Sequence, residues 1–175
     1  PEVQFSVEPP EGFAPLTVSF LVTATGQITN WNWDFGDGST SSAQSPSHTY
    51  LQHGTFTINL NVTGPGGSDE FSVSLYIANP PPVADAGQDQ TVNEGIQVLL
   101  NGSNSQDPIN DIVAYQWTQI DGSAATIING DSAQASFMAP DVGPGSEVLT
   151  FRLTVTDSSD LQATDTCVVN VSWTN

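Results

Sequence analysis

The segment that most constrains the fold is residues 31–39, which read WNWDFGDGS. Three aromatic residues, Trp31, Trp33 and Phe35, alternate with the polar residues Asn32 and Asp34. This period of two is typical of a strand with one buried and one solvated face. The Gly-Asp-Gly that follows favours a tight turn, because glycine accepts positive φ and Asp can bond its own backbone. The segment therefore predicts the central strand of a small β-sandwich.

Three blocks of the first half resemble the signature of the PKD domain, the immunoglobulin-like module named for polycystic kidney disease. The blocks are WDFGDG at residues 33–38, SPSHTY at 45–50 and GTFTI at 54–58, and they occur in the order and spacing of that family. The resemblance covers most of residues 1–79 and implies an immunoglobulin-like β-sandwich.

The rest of the chain has the same alternation and no helical period, which predicts an all-β protein. Residues 54–62 show it clearly, because Phe56, Ile58, Leu60 and Val62 alternate with polar residues. Three prolines at 80–82 form a short, semi-rigid linker. We therefore predict two tandem immunoglobulin-like β-sandwiches, a PKD domain at 1–79 and a PKD-like domain at 83–175.

The second half repeats the first, which is strong evidence for a tandem array. Residues 113–117 (VAYQW) match the tryptophan strand, and the alternating apolar residues 149–155 match 56–62. The extra length at residues 124–147 predicts additional short strands at Ile127-Ile128 and Phe137-Met138. The opening, residues 83–95, resembles a PKD/REJ-like subgroup that is frequent in bacterial and archaeal surface proteins.

The charge of the chain excludes whole classes of partner. Nineteen acidic residues against one arginine and no lysine give a net charge of −18, which repels nucleic acid and anionic membranes. A single cysteine, Cys167, rules out an internal disulfide. No signal-peptide pattern or membrane-spanning apolar run occurs in the sequence. We expect a soluble, monomeric fragment of a secreted or cell-surface protein of prokaryotic type.

Acidic residues in two loops of the second domain suggest a metal site. The first loop contains Asn104, Ser105, Asp107 and Asp111, and the second contains Asp157. These loops meet at one pole of an immunoglobulin-like sandwich, and Glu94 and Asp85 could approach it. Clustered carboxylates repel one another, and a hard divalent cation such as Ca²⁺ removes that repulsion. The alternative is that these residues are solvated turn residues, which Asp and Asn also favour; for the first domain we expect that alternative.

The resemblance adds its own expectation for this loop. Similar modules often carry Asp-Pro-Asp-Gly there and bind calcium, whereas this chain has Ile109 and Asn110 at the last two positions. Asp111 would then have to supply the missing carboxylate.

Other residues that invite a catalytic or binding role are better explained by the fold. Asp34, Asp37 and His48 fall within the fold signature, and neither a cleft nor a nucleophile motif accompanies them. Strand parity assigns Trp33, Trp117 and Trp173 to the core and leaves Trp31 undecided. Cys167 replaces an inward valine and is expected to be buried and inert.

Together these observations predict a non-catalytic extracellular module that acts as a calcium-stabilised spacer or adhesion unit. Its partners would be the other domains of the parent protein and a surface protein or polysaccharide. The alternative is an accessory module that binds an insoluble polysaccharide, such as chitin, or a fibrous protein, such as collagen, through exposed aromatic residues.

Overall fold

The computed structural model describes residues 1–174, and this part of the chain contains β-strands and no α-helix. It divides into two compact units, with the boundary between Pro80 and Pro81. The prediction of two tandem immunoglobulin-like β-sandwiches is confirmed. No helix that could cross the hydrocarbon core of a membrane occurs among the described residues.

The first unit has eight strands in two sheets. The strands are β1 (Glu2–Glu8), β2 (Gly12–Phe13), β3 (Leu16–Thr25), β4 (Asn30–Asp34), β5 (Thr40–Ser41), β6 (Ser47–Tyr50), β7 (Gly54–Gly64) and β8 (Gly67–Ala78). One sheet has the order β1-β3-β6 and the other has the order β2-β8-β7-β4-β5. All pairs are antiparallel except β2 with β8, which is parallel.

The core of the first unit is built around Trp33. Its side chain is fully buried, and the rings of Phe5 and Phe20 lie 4.9 and 4.8 Å from it, centroid to centroid. Its indole N–H donates to the carbonyl oxygen of Ala43 at 2.9 Å, so the one polar atom of the ring is satisfied. The prediction that this tryptophan belongs to the core is confirmed, whereas Trp31, two residues earlier, is half-buried.

The second unit has six strands, also in two sheets. The strands are β9 (Gln90–Asn93), β10 (Gln97–Asn101), β11 (Ile112–Asp121), β12 (Gln134–Met138), β13 (Ser146–Asp157) and β14 (Gln162–Ser172). One sheet pairs β10 with β12, and the other has the order β11-β13-β14-β9. Of the short strands expected within residues 124–147, β12 contains Phe137, and Ile128 forms only an isolated bridge with Ser136.

Apolar side chains at alternate positions of β13 and β14 fill the core of the second unit, as the sequence predicts. The inward residues Leu149, Phe151, Leu153, Val155, Cys167, Val169 and Val171 are all buried, and Trp117 packs among them. Burial, with Asp89 and Asp165 nearby, raises the pKa of the Cys167 thiol to about 11, so the thiol stays protonated and unreactive at neutral pH. Trp173 contradicts its prediction: β14 ends at Ser172, and the indole is 39% exposed.

Candidate metal centre

Three carboxylates meet at one pole of the second unit. One oxygen of each of Asp107, Asp111 and Asp157 lies within 4.8 Å of the others. Asp107 and Asp111 come from the loop between β10 and β11, and Asp157 is the last residue of β13. Antiparallel strands bring these two chain segments together, because Ile112 at the start of β11 is the register partner of Asp157.

Each loop is held in shape by its own aspartate. The Asp107 carboxylate accepts the Ile109 N–H at 2.8 Å, and the Asp157 carboxylate accepts the Ser159 and Leu161 N–H groups at 2.8 and 2.9 Å. Both loops also contain a residue with positive φ, Asn110 at 60° and Asp160 at 63°. Asn and Asp are the non-glycine residues that tolerate this region best. Asn110 thus adopts a backbone conformation that glycine would otherwise supply.

The cluster is short of hydrogen-bond donors. Asp157 is fully buried and Asp107 is 6% exposed. The second oxygen of Asp107, Oδ2, is buried and receives no hydrogen bond from the described residues. The hydroxyl of Ser158 donates to the Asp111 carboxylate on the outer side. A buried carboxylate oxygen without a donor is costly unless a proton or a cation is bound to it.

Burial and repulsion act on Asp107 in the same direction. Burial raises the pKa of the Asp107 carboxyl, and the neighbouring Asp111 carboxylate raises it further. The backbone N–H groups of Ile109 and Asp111 lower it, without reversing the shift. Two carboxyl groups can share a hydrogen bond only when one of them is protonated. The contact between the Asp107 and Asp111 side chains therefore favours the protonated form of Asp107.

No basic side chain neutralises the cluster. The only Lys or Arg in the chain is Arg152, which lies five residues before Asp157 on β13 and faces the opposite side of the strand. Five residues of extended chain span about 17 Å. The candidate metal ligands are therefore all oxygen atoms, and no cationic side chain compensates their negative charge. Ca²⁺ prefers oxygen ligands of this kind, whereas Zn²⁺ prefers His and Cys.

The structure places the other candidate ligands in different ways. Ser105 is buried, lines a groove of about 270 Å³ together with Asp107 and Asn110, and accepts the Asp85 N–H at 3.0 Å. The Asp85 carboxylate accepts the Gly87 N–H at 2.8 Å and is not one of the three clustered carboxylates. The side chain of Asn104 is exposed.

Glu94 lies away from the cluster. Its carboxylate accepts the N–H groups of Val142 and Thr174, at 3.1 and 3.2 Å. Its backbone N–H donates to Ser172, at the end of β14 remote from Asp157. The ten residue steps of β14 correspond to about 33 Å. Glu94 therefore fixes residues 172–174 next to β9 and does not join the other acids.

The first unit has no room for a side chain at the position that corresponds to Asp157. Gly64 corresponds to Asp157, and a Cβ atom at Gly64 would lie 1.9 Å from the carbonyl oxygen of Gln27. The backbone of the preceding loop therefore occupies the space that a carboxylate would need. That the first domain has no metal site stays a prediction.

The acidic and basic residues of the fold signature hold a turn together. Asp34 accepts the Gly36 N–H at 2.9 Å, and Asp37 accepts the Ser39 N–H at 2.9 Å. His48 Nε2 lies 2.7 Å from Asp37 Oδ2, and the imidazole stacks on Phe35 with centroids 4.3 Å apart. Burial raises the pKa of Asp37, but the hydrogen bonds of His48 and of the Ser39 backbone outweigh burial, so the net pKa is lowered. These contacts support the structural role that the sequence predicts.

Tyr50 completes this turn from the core side. Its hydroxyl donates to the carbonyl oxygen of Phe35 at 2.8 Å, and the ring is fully buried. Burial, together with the Asp37 and Asp34 carboxylates, raises the pKa of the Tyr50 hydroxyl well above its usual value. The hydroxyl is therefore a fixed hydrogen-bond donor and not an acid–base group at neutral pH.

Comparisons with known proteins agree with the division into two units. A family described as PKD domain matches residues 7–78, and one described as K319L-like, PKD domain matches residues 86–171. The chain is 34% identical to the human (Homo sapiens) Dyslexia-associated protein KIAA0319 over 163 residues, which cover 85% of this chain and 15% of that protein. It is 28% identical to the Pre-pro-metalloprotease PrtV of Vibrio cholerae over 113 residues, which cover 64% of this chain and 12% of that protein.

One solved structure is similar to about half of this chain. The solution structure of the PKD domain from KIAA 1837 protein is 30% identical to this chain and aligns with a TM-score of 0.44. The alignment covers 51% of this chain and 85% of that structure. The chain thus spans only a small fraction of the curated relatives that it matches.

Proposed function

Since this chain belongs to the PKD family and consists of two such domains in tandem, we propose that it is a non-catalytic, calcium-stabilised extracellular module. In this role it positions neighbouring domains of a longer protein and contributes to adhesion. The relatives support this proposal, because PKD domains occur in them as a small part of much longer chains, including a metalloprotease. We therefore expect the two domains of this chain to be accessory to the activity of the longer protein that contains them.

The observation that carries the calcium half of the proposal is the buried Oδ2 of Asp107. This oxygen receives no hydrogen bond from residues 1–174. Its residue belongs to a cluster in which Asp107, Asp111 and Asp157 each place one carboxylate oxygen within 4.8 Å of the others. Asp107, Asp111 and Asp157 would hold the ion, and the buried Ser105 lines the same groove as Asp107. Ca²⁺ accepts six to eight oxygen ligands in flexible geometry, which suits two irregular loops better than the strict octahedron of Mg²⁺ does.

The expected stabilisation is large for a domain of this size. Extracellular modules bind Ca²⁺ with a Kd of about 0.1–1 mM. At ~10 mM Ca²⁺ such a site adds about 1.4–2.7 kcal/mol to the free energy of unfolding. For a domain of under 100 residues, this corresponds to a rise in Tm of about 6–20 °C. The role of the ion is thus structural: it removes the repulsion between the carboxylates and fixes the two loops.

Calorimetry of the whole chain tests the calcium half of the proposal. We expect CaCl2 to raise the Tm of the second unit relative to EDTA, MgCl2 at the same concentration to raise it less, and the Tm of the first unit to stay unchanged. An unchanged Tm of the second unit in saturating CaCl2 would remove the ion from the proposal.

A second function, an accessory module for insoluble polysaccharide or collagen, is favoured by one observation. Phe13 and Tyr76 expose 60% and 64% of their surface on the first unit. Co-sedimentation with chitin, cellulose and fibrillar collagen separates the two functions. A spacer stays in the supernatant with all three materials, whereas an accessory binding module is depleted by at least one.

A further inference from the structure

The first unit has an aromatic groove at the edge of its five-stranded sheet. The groove has a volume of about 400 Å³ and is lined by Glu11, Gly12, Phe13, Tyr76 and Ala78. Phe13 lies on the edge strand β2 and Tyr76 on its neighbour β8. Both rings are mostly exposed, so neither is needed to fill the core of the unit. We refer to this feature as the Phe13–Tyr76 groove.

Strand geometry places the two rings on the same face at a useful spacing. Phe13 is the register partner of Ala78, and Tyr76 lies two residues before Ala78, so all three side chains point to the outer face. Two residues of strand rise and one inter-strand step separate the Cα atoms of Phe13 and Tyr76 by about 8 Å. A flat group sandwiched between two rings needs about 3.5–4 Å on each side. The groove therefore has room for one planar group.

The side chains of the groove accept hydrogen bonds more than they donate them. Glu11 supplies a carboxylate, the two rings supply π faces, and the Tyr76 hydroxyl is the only side-chain donor in the lining. A sugar carries hydroxyls that both donate and accept, so it needs both kinds of partner. A guanidinium has five N–H donors and no acceptor, is planar, stacks on aromatic rings and pairs with carboxylates.

Charge favours the same occupant. Residues 1–80 contain no Lys or Arg, and their acidic residues are Glu2, Glu8, Glu11, Asp34, Asp37, Asp69 and Glu70. A field of this sign raises the local concentration of cationic groups and speeds their encounter. It repels acidic sugars and phosphate.

We propose that the Phe13–Tyr76 groove binds the guanidinium of an arginine side chain in a basic segment of a partner protein. The guanidinium stacks between the two rings and donates to the Glu11 carboxylate. This inference names the partner chemistry for the adhesive half of the proposed function. It does not depend on the calcium centre, which lies in the other unit.

The test uses the whole chain and a pair of matched peptides. One peptide is acetyl-Gly-Ser-Arg-Ser-Gly-amide, and the other carries citrulline, which is planar and neutral, in place of arginine. Binding is followed by NMR through the ring signals of Phe13 and Tyr76, in EDTA and again in CaCl2. We expect a saturable shift with the arginine peptide under both conditions and none with the citrulline peptide.

Two variants of the groove and one control variant separate the groove from general attraction to an acidic protein. The double variant Phe13→Ser/Tyr76→Ser keeps the net charge of −18, and we expect it to bind the arginine peptide about fivefold or more weakly, followed through the backbone amide signals of residues 11–13 and 76–78. Glu11→Gln should also weaken binding. Leu21→Ser removes an apolar side chain that is 61% exposed on the other sheet of the same unit, and it should leave the affinity unchanged.

Three results would overturn the proposal. Equal binding of the citrulline peptide would remove the role of charge, and unchanged affinity in the double variant would show attraction by the whole surface. Saturable binding of methyl glucoside, without binding of the arginine peptide, would make the groove a sugar platform. Loss of the calcium effect on Tm would affect the proposed calcium role and leave this inference standing.

Discussion

Replacing Asp111 by Asn should change the stability of the second unit in opposite directions with and without calcium. Without calcium, the substitution removes one of three negative charges that lie within 4.8 Å of one another. Asn keeps an acceptor oxygen for the Ser158 hydroxyl, so the contact between the two loops is retained. With calcium, the same substitution removes a charged ligand of the ion.

The size of the effect follows from the spacing of the carboxylates. Two unit charges 4.8 Å apart repel by about 0.9 kcal/mol in bulk water and by about 3.5 kcal/mol at an effective dielectric constant of about 20. Asp111 is half-buried and has two such neighbours. After some allowance for relaxation, we expect Asp111→Asn to stabilise the calcium-free second unit by about 1–3 kcal/mol. It should also abolish most of the gain of about 1.4–2.7 kcal/mol that calcium gives the unmodified chain.

The assay is calorimetry at pH 8, in EDTA and in CaCl2. Hydrogen exchange of the amides in β13 and β14 reports on the second unit separately. Asp131→Asn is the matched control, because Asp131 is an exposed acid of the same unit outside the cluster. It removes one charge from the chain without touching the pole.

The result that would refute this reasoning is equal behaviour of the two variants. If Asp111→Asn and Asp131→Asn shift the calcium-free Tm by the same amount, the three carboxylates do not repel one another appreciably. If calcium stabilises Asp111→Asn as much as the unmodified chain, Asp111 is not a ligand.

Three further predictions concern residues that stabilise the two sandwiches. The pKa of Asp37 is lowered below 3.8, so its stabilising contribution is complete above that pH and is lost as the pH falls below it; Asp37→Asn should flatten the pH dependence of urea unfolding between pH 4 and 2. Gly64→Ala should destabilise the first unit by about 2–4 kcal/mol in urea unfolding, because its Cβ would meet the carbonyl oxygen of Gln27. Trp33→Phe should cost about 1 kcal/mol more than Trp117→Phe, since only the former indole N–H has a hydrogen-bond partner among the described residues.

Each of these has a matched control or a contrary outcome. Glu70→Gln removes an exposed acid of the first unit, and an identical acid profile would dissociate the effect from Asp37. Gly66→Ala adds a Cβ whose nearest atom, the Pro1 nitrogen, is 3.9 Å away, at a glycine that like Gly64 has no positive φ, and so measures the cost of the substitution without the clash. Equal costs for the two tryptophan substitutions would mean that the hydrogen bond contributes nothing measurable.

Much of the fold was predictable because strand alternation is a direct consequence of one-sided burial. The buried residues 149, 151, 153 and 155 are those that the period of two assigns to the core. The meeting of Asp107, Asp111 and Asp157 was also predictable, since loops that join neighbouring strands of a sandwich converge at one end.

The remainder depends on contacts that have no period. The carboxylates of Glu94 and Asp85 are held by the backbone N–H groups of Val142 and Gly87, and sequence spacing does not encode which N–H is within reach. Trp173 follows the last residue of β14, where the inward–outward rule no longer applies. The Phe13–Tyr76 groove was missed because β2 has only two residues and pairs in parallel with a strand more than 60 residues later.

The carbonyl oxygen of Gln27, 1.9 Å from where a side chain at Gly64 would begin, also limits how the two copies of this module could have diverged. If Gly64 were replaced by aspartate, the new side chain would clash with the Gln27 carbonyl oxygen and could not reach a position to bind a cation. An ancestor of that copy would have needed a rebuilt preceding loop before the acid could be tolerated. To transfer the acidic pole of the second unit to the first, both of its loops have to be exchanged together, because substitutions at Gly64 alone leave the Gln27 backbone in place.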